Sequence, residues 1–281
     1  MYKRAAGHIR KRKRERRMKV ACFSVAAMDY FPQQNEYFAG GNSLNQTIRF
    51  KQSGHESAFV GALGTDKAGD RIEDLLRKYS VDISHMYRME GNTACNQIID
   101  DDNGERTGVA GAWHSGVYDT FVLHETDWQY IADFDIWATH ANGPNYEQAL
   151  VHKRNTNFLT VDFLHFSTYE LLEKGLESVD IAYFGGVRNQ LEELTAISKH
   201  YKGIIVLTLG AEGSVAVKDG VTYWQNALPV EKVVDTTGCG DAFQAGFSAE
   251  YYLTHDIEKS LAAGAALGRS AALHYGGVSW L

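Results

Sequence analysis

The run Asp235-Thr236-Thr237-Gly238-Cys239-Gly240-Asp241 combines an acid with a glycine-rich turn at the start of a predicted helix. Val230 to Val234 leads in as a strand or loop, and Ala242 to Phe247 reads as the helix that follows. A helix start leaves backbone N–H groups unpaired and carries the positive end of the helix dipole. Glycine lets an anion approach those amides closely, so Gly238, Cys239 and Gly240 are candidates to cradle a phosphoryl group. Asp241, in the first turn, could take a proton from a hydroxyl beside that group. The Gly-x-Gly-Asp core by itself is equally an ordinary helix start whose aspartate answers the dipole.

A second cluster lies near the beginning of the chain. Val20 to Ala26 is almost continuously apolar, as a strand buried on both faces should be, and Asp29 follows it. Ligands gather beyond the carboxyl ends of strands in open parallel sheets, although a plain loop aspartate fits too. Gly40-Gly41 turns into another predicted helix, with Asn42 as its expected N-cap and Asn45 on its first turn. Paired asparagines offer donors and acceptors to a polyhydroxylated ligand. Further on, Gly203 to Ser214 is a buried strand running into the turn Leu209-Gly210-Ala211-Glu212-Gly213.

The segments between these clusters alternate in type. The first helix is expected to stop near Ser53-Gly54, Ser57 to Leu63 to form a strand, and Ile72, Leu75, Leu76 and Tyr79 to make one buried helical stripe. From residue 126 strands at Phe134–Thr139, Asn157–Phe163, Asp180–Phe184 and Gly203–Leu209 alternate with helices. That pattern predicts an α/β fold with a mostly parallel sheet, right-handed crossovers and helices on both faces. Asp219-Gly220 should turn a hairpin at the sheet edge. Thr93 to Ile99 reads as a strand before the turn signal Asp101-Asp102-Asn103-Gly104. A small-residue helix spans about Ile257 to Leu273.

Together Asp235–Asp241, Gly41-Asn42-x-x-Asn45, Gly64-x-Asp66-x-x-Gly69 and Thr208-Leu209-Gly210-x-x-Gly213 resemble the signatures of the ribokinase-like (PfkB) sugar kinases, in order and spacing, over Met18 to Leu281. The resemblance implies a ribokinase-like domain over 18–281, with a β-sheet lid formed by segments near 30–40 and 86–112. It implies ATP with Mg²⁺, and a sugar whose primary hydroxyl is phosphorylated. Asp29, Gly41, Asn42 and Asn45 would hold the sugar, while Asp241 would act as base with the amides of Gly238, Cys239 and Gly240 beside it. Thr208, Gly210 and Gly213 would line the nucleotide, and Asp235 and Thr237 would border a monovalent cation such as K⁺. The chain departs from the family at Ser24-Val25, where Gly-Asp is usual, and at Gly185–Arg188, where Asn-x-x-Glu usually organises magnesium. Arg188 could then contact the phosphates directly, or the metal could rely on other groups. Asp162 stands where members often carry an aspartate near the phosphates, but its usual Asn and Arg companions are missing, so site and structural roles stay open. The run Gly116-Val117 and the ending His274 to Trp280 are most similar to members acting on fructoselysine, so a fructosamine is the expected substrate, with fructose or ribose as alternatives. A homodimer through the lid is the assembly envisaged.

The remaining composition is that of an ordinary globular chain: 281 residues, 44% hydrophobic and 22% charged. Three widely spaced cysteines suggest neither a disulfide framework nor a zinc site, which fits the reducing cytoplasm. No apolar run is long enough for a membrane span. Nine of the 28 Lys/Arg and one of the 35 Asp/Glu fall in residues 1–17, leaving the rest with 19 basic and 34 acidic residues, a formal net charge of −15. A basic run can bind nucleic acid. Translated purine-rich leader sequence explains it as well, with Met18 as the start, so residues 1–17 are expected to be disordered and nucleic acid is not expected as a partner. The rival from another class is a sugar-binding regulator without turnover, for which Gly185–Arg188 and the basic run speak and Asp241 speaks against.

Overall fold

A computed structural model describes residues 17–100, 106–165 and 169–278. The expected basic extension (apart from Arg17), the Asp101–Gly104 turn and Ser279-Trp280 lie outside the described residues. In chain order the first half contains β1 (Lys19–Cys22), β2 (Ala27–Phe31), β3 (Glu36–Gly40), α1 (Asn42–Gln52), β4 (Glu56–Phe59), β5 (Gly61–Gly64) and α2 (Lys67–Lys78). There follow β6 (Met86–Met89), β7 (Ala94–Asp100), β8 (Arg106–Gly108), α3 (Glu125–Ile131), β9 (Ile136–His140) and α4 (Tyr146–His152). The second half continues with β10 (Phe158–Asp162), α5 (Glu170–Gly175), β11 (Ile181–Gly185), α6 (Leu191–Ser198) and β12 (Ile204–Thr208). It closes with β13 (Ser214–Lys218), β14 (Val221–Gln225), α7 (Cys239–Thr254) and α8 (Ile257–Ala271).

The large sheet has the order β14-β13-β12-β11-β10-β9-β1-β4. Its strands from β4 to β12 run parallel, and the hairpin β13–β14 closes one edge antiparallel. Asp219 and Gly220 both take positive φ (51° and 78°), the conformation of the two-residue hairpin turn expected there. Because successive side chains alternate, Trp137, Leu159, Val161, Ile205 and Leu207 pack on one face with Trp128, Tyr146, Leu172 and Leu194 from α3 to α6. Their neighbours Ile136, Ala138, Ile204 and Val206 pack on the other with Phe50 of α1, Phe247 of α7 and Leu261 of α8. Covering both faces explains why these strands are apolar throughout rather than alternating.

Two strand boundaries differ from expectation in ways that matter for the site. The strand predicted to reach Ala26 ends at Cys22: the Phe23 N–H still bonds the Ala138 carbonyl (3.0 Å), but the Ser24 N–H turns to Ser43 Oγ (2.6 Å). The chain then enters β2, so Asp29 sits inside the next strand, not just beyond the first one. Likewise Ser57 to Leu63 is not one strand. It breaks at Val60, after which β5 leaves the large sheet and pairs with β6. A four-stranded sheet, β3-β2-β7-β8, stands apart from the large one and supplies the small sheet expected. Met86–Met89, expected within that lid, belongs instead to the β5–β6 pair.

Trp137 lies fully buried at the centre of the large core, edge-on to Phe23 and with its Nε1–H on the Ile131 carbonyl (2.8 Å). Replacing it with alanine leaves a cavity and removes that hydrogen bond, the Ile131 carbonyl keeping the Phe134 N–H (2.9 Å). Trp137→Ala should lower unfolding stability by about 3–5 kcal/mol in urea titration.

Candidate active site

The site begins with a turn that local chemistry locks in place. Asp235 is fully buried, and its carboxylate accepts from the Thr237 N–H (2.7 Å) and the Gly276 N–H (2.8 Å). Gly238 then caps α7 in the left-handed region (φ 75°), where a Cβ would stand 2.5 Å from the Gly277 Cα. Glycine is required there on both counts. The Cys239 N–H donates to the Thr236 carbonyl at 3.1 Å, so that amide serves the turn, unlike the role expected for it from the sequence. A Cβ added to Gly240 would meet nothing within 4 Å, so the helix end opens onto space.

Helix α1 brings the second set of groups. Gly41 rather than Asn42 is its N-cap, at φ 96°, and a Cβ on it would come within 2.8 Å of the Val25 carbonyl. Asn42 is therefore the first helical residue, and its side chain is released from capping to reach the site. Its Nδ2 donates to Asp241 Oδ1 (2.9 Å) and Asp162 Oδ2 (3.2 Å), while its Oδ1 accepts from Ser24 Oγ (3.1 Å). Asn45, three residues on and hence on the same face, donates to Asp241 Oδ2 at 2.7 Å. Both oxygens of Asp241 are thus held by carboxamides.

Asp162, left open by the sequence, is drawn into the same network from the end of β10. It accepts from the Leu164 N–H (2.7 Å) and from Gln244 Nε2 (2.8 Å), and Gln46 Nε2 in turn donates to Gln244 Oε1 (2.7 Å). Gln46 and Gln244 were not anticipated. The available signal was their spacing, Gln46 four residues after Asn42 and Gln244 three after Asp241. Arg106 was missed too. Its backbone N–H donates to Thr236 Oγ1 (3.1 Å), which ties β8 of the small sheet to the signature turn.

Burial raises the carboxyl of Asp241 from its ordinary 3.8 to about 7; hydrogen bonds from Asn45 and Asn42 and the charge of Arg106 oppose the shift, and the Asp162 carboxylate adds to it. Asp29, buried in β2 against Gly40, is pushed up to about 6 by burial, with Arg106 opposing and Asp235 adding. Two buried carboxyls that both feel the charge of Arg106 are therefore raised toward neutrality.

The other expected residues lie at the end of β12, in the turn that follows it, and after β11. Thr208 ends β12, with its hydroxyl on the Phe184 carbonyl (3.2 Å) and its own carbonyl accepting from the Gly186 N–H (3.0 Å). Gly210 has φ 56° and faces open space, as a close ligand approach requires. Gly213 has φ 102°, and a Cβ there would strike the Gln225 carbonyl at 2.1 Å, so its glycine serves the β13–β14 hairpin. Arg188 is ion-paired with Glu212 and stacks 5.0 Å from the centre of the Trp224 ring, on the border of the Gly210–Gly213 turn. Among the described residues no group of three or more His, Cys, Asp or Glu side chains could hold a metal ion. The Thr237 Oγ1 is buried without a hydrogen-bond partner beside Asp235, a donor set that fits a monovalent cation.

A family model described as pfkB family carbohydrate kinase matches residues 23–280. The chain belongs to that family. This carbohydrate kinase is 29% identical over 261 residues to a fructoselysine 6-kinase of Escherichia coli strain K12, covering 92% of this chain and 98% of the relative. It is 25% identical over 250 residues to the fructosamine kinase FrlD of Bacillus subtilis strain 168, with 87% of each chain covered. Its fold matches that of a Vibrio cholerae fructokinase double mutant crystallised with fructose, ADP and potassium, at a TM-score of 0.73 and 22% identity over 94% of this chain and 95% of the other. The ribokinase-like fold is thereby shown, and no helix among the described residues is long and apolar enough to cross a membrane.

The raised carboxyls of the kinase have a consequence for stability. In the fold Asp241 and Asp29 keep protons that the unfolded chain has released above about pH 4. Their contribution is therefore fully present below that pH and is lost as pH climbs through about 6 and 7. The urea midpoint should fall between pH 5 and pH 8, and Asp241→Asn should flatten that fall; an equally steep fall in the variant would contradict the shift.

Proposed function

We propose that this kinase phosphorylates the primary hydroxyl of a fructosamine, a fructose joined to an amine, with Asp241 as the base. The observation that carries the catalytic part is the clamp on Asp241, whose two oxygens are fixed by Asn42 and Asn45 at 2.9 and 2.7 Å. Carboxamides orient the carboxylate without neutralising it, and each oxygen keeps a lone pair for an incoming hydroxyl. A base titrating near 7 suits proton transfer at neutral pH. Asp29 and the α1 face would orient the sugar hydroxyls. The amides of Gly238 and Gly240, with the Gly210 turn, would hold the phosphates, and the open space at Gly240 and Gly210 fits such a ligand. Bound there, ATP would supply the phosphoryl group and leave as ADP, and Mg²⁺ would offset the charge of the phosphates. As the hydroxyl oxygen is phosphorylated, its proton passes to Asp241.

The fructosamine assignment rests on the two relatives named for such substrates, together with the coverage of nearly the whole chain. Coupled ADP-release assays over fructoselysine, other fructose-amines, fructose and ribose test it, and the highest kcat/KM is expected on a fructose-amine. Preference for free fructose or ribose would reject the substrate and keep the kinase. Asp241→Asn should lower kcat by roughly 10²–10⁴-fold with sugar binding largely retained. Near-normal turnover in that variant would remove Asp241 as the base.

We further propose that Asp235 and Thr237 border a potassium site, on the ground of the unpartnered Thr237 hydroxyl and the potassium in the fructokinase structure. Turnover should drop when potassium is exchanged for tetramethylammonium, and Thr237→Val should blunt that dependence. Equal rates in both salts would dismiss the cation.

A further inference from the structure

We propose that Arg106, carried on the small sheet, is a further catalytic residue whose guanidinium binds the transferring phosphoryl group; the proposal rests on Asp241 as the base. Strand register gives its direction. Asn96 of β7 stands opposite Asp29 of β2, and Ile98 of β7 stands opposite Gly108 of β8. Facing residues of adjacent strands project to the same side, and sides alternate along each strand. Arg106, two residues before Gly108, therefore shares one face with Asp29, Asn96 and Ile98. That face looks inward: Ile98 is fully buried, whereas Ile99 on the other face is exposed. Position along the strand is fixed by the bond from the Arg106 N–H to Thr236 Oγ1 (3.1 Å), two residues before Gly238. The side chain thus starts where the small sheet meets the turn that opens α7.

Its charge has no close partner within the protein. Arg106 is exposed, and among the described residues its guanidinium makes no ion pair or hydrogen bond, although both Asp29 and Asp241 feel its charge. Two other arginines stand near the signature turn or the Gly210 turn, and both are engaged. Arg49 donates to the Gly277 carbonyl (3.2 Å) and contacts His274 Nε2 (3.0 Å). Arg188 pairs with Glu212 and stacks on Trp224. Of the three, Arg106 keeps its planar fork open to an anion, and two parallel N–H groups match the oxygens of a phosphoryl group. The reaction places that anion beside Asp241. As the bond from phosphorus to the leaving ADP breaks and the bond to the sugar oxygen forms, charge gathers on the peripheral phosphoryl oxygens. The sugar proton passes to Asp241. Arg106 stays protonated and donates to those oxygens without exchanging a proton. Its reach depends on the Thr236 bond, so the small sheet contributes to the chemistry itself.

The test uses the full chain and steady-state ADP release with fructoselysine and with fructose. Arg106→Met should lower kcat roughly 10²–10³-fold on both sugars, the loss seen when one oxyanion donor is removed, with sugar KM little changed. Arg106→Lys, which keeps the charge but not the fork, should fall in between. Guanidinium chloride, far below denaturing concentrations, should restore part of the turnover of Arg106→Gly, a rescue that a merely structural residue does not show. The charge of Arg106 lowers the carboxyls of Asp29 and Asp241 alike, so its loss should also move the acid limb of the kcat/KM profile to higher pH. Thr236→Val, which cuts the backbone tether, should lower kcat less than Arg106→Met does. Asp241→Asn run in parallel keeps the two readings apart. Normal kcat in Arg106→Met beside an inactive Asp241→Asn would overturn the arginine and leave the base; normal kcat in both would overturn the two together. A rise in KM for fructoselysine alone, with kcat intact, would also overturn the proposal, by making Arg106 a reader of the substrate carboxylate. So would a fall in kcat with neither rescue nor the pH shift, which would leave Arg106 a structural part.

Discussion

Two carboxamides at the start of one helix hold the carboxylate at the start of another, and the rest of the site is arranged around that contact. Asn42 and Asn45 lie 199 and 196 residues before Asp241, so the bond joins the two ends of the chain rather than neighbours. It can form only because α1 and α7 pack side by side on the same face of the large sheet. Asp162 enters from the sheet beneath, and Gln244 and Gln46 close the circuit between the helices. The two carboxylates and the amide donors of this circuit are paired, while Asn45 Oδ1 is buried without a partner; paired buried groups stabilise one arrangement over its competitors.

That arrangement also sets the electrostatics. Asp241 receives neutral donors from α1 and a second carboxylate from β10, with Arg106 acting from β8. A lysine in place of Asn42 or Asn45 would hold the carboxylate firmly ionised and poor at accepting a proton. Carboxamides fix geometry while burial sets proton affinity, so position and basicity are controlled by different groups.

Much of this could be read from residue types. The apolar strands at Ile136, Leu159, Ile181 and Ile204 announce a sheet covered on both faces, and the glycine turns at Gly41 and Gly238 mark the two helix starts that meet. What was hidden depends on tertiary pairing. Val20 to Ala26 is apolar throughout, yet the strand ends at Cys22 because Ser43, on another helix, captures the Ser24 N–H. Ser57 to Leu63 reads as one strand because nothing in its composition marks a change of sheet at Val60. Asn42 looks like a cap by position, but Gly41 can adopt φ 96° and takes that place, which frees the asparagine for Asp241. Gln244 and Arg106 carry no motif. Their roles come from facing Asp162 and Thr236, neither of which is near them in sequence.

The contact between Asp235 and the Gly276 N–H bears on how the molecule is made. Arg49 likewise donates to the Gly277 carbonyl, across a sequence separation of 228 residues. The glycine turn that caps α7 is therefore braced by a segment synthesised after both helices and every strand. While residues near 276 remain inside the ribosome, the large sheet can already assemble, but the turn lacks its brace and Asp235 lacks a donor. A chain in that state has its scaffold before its chemistry: the turn is braced only once Gly276 and Gly277 dock.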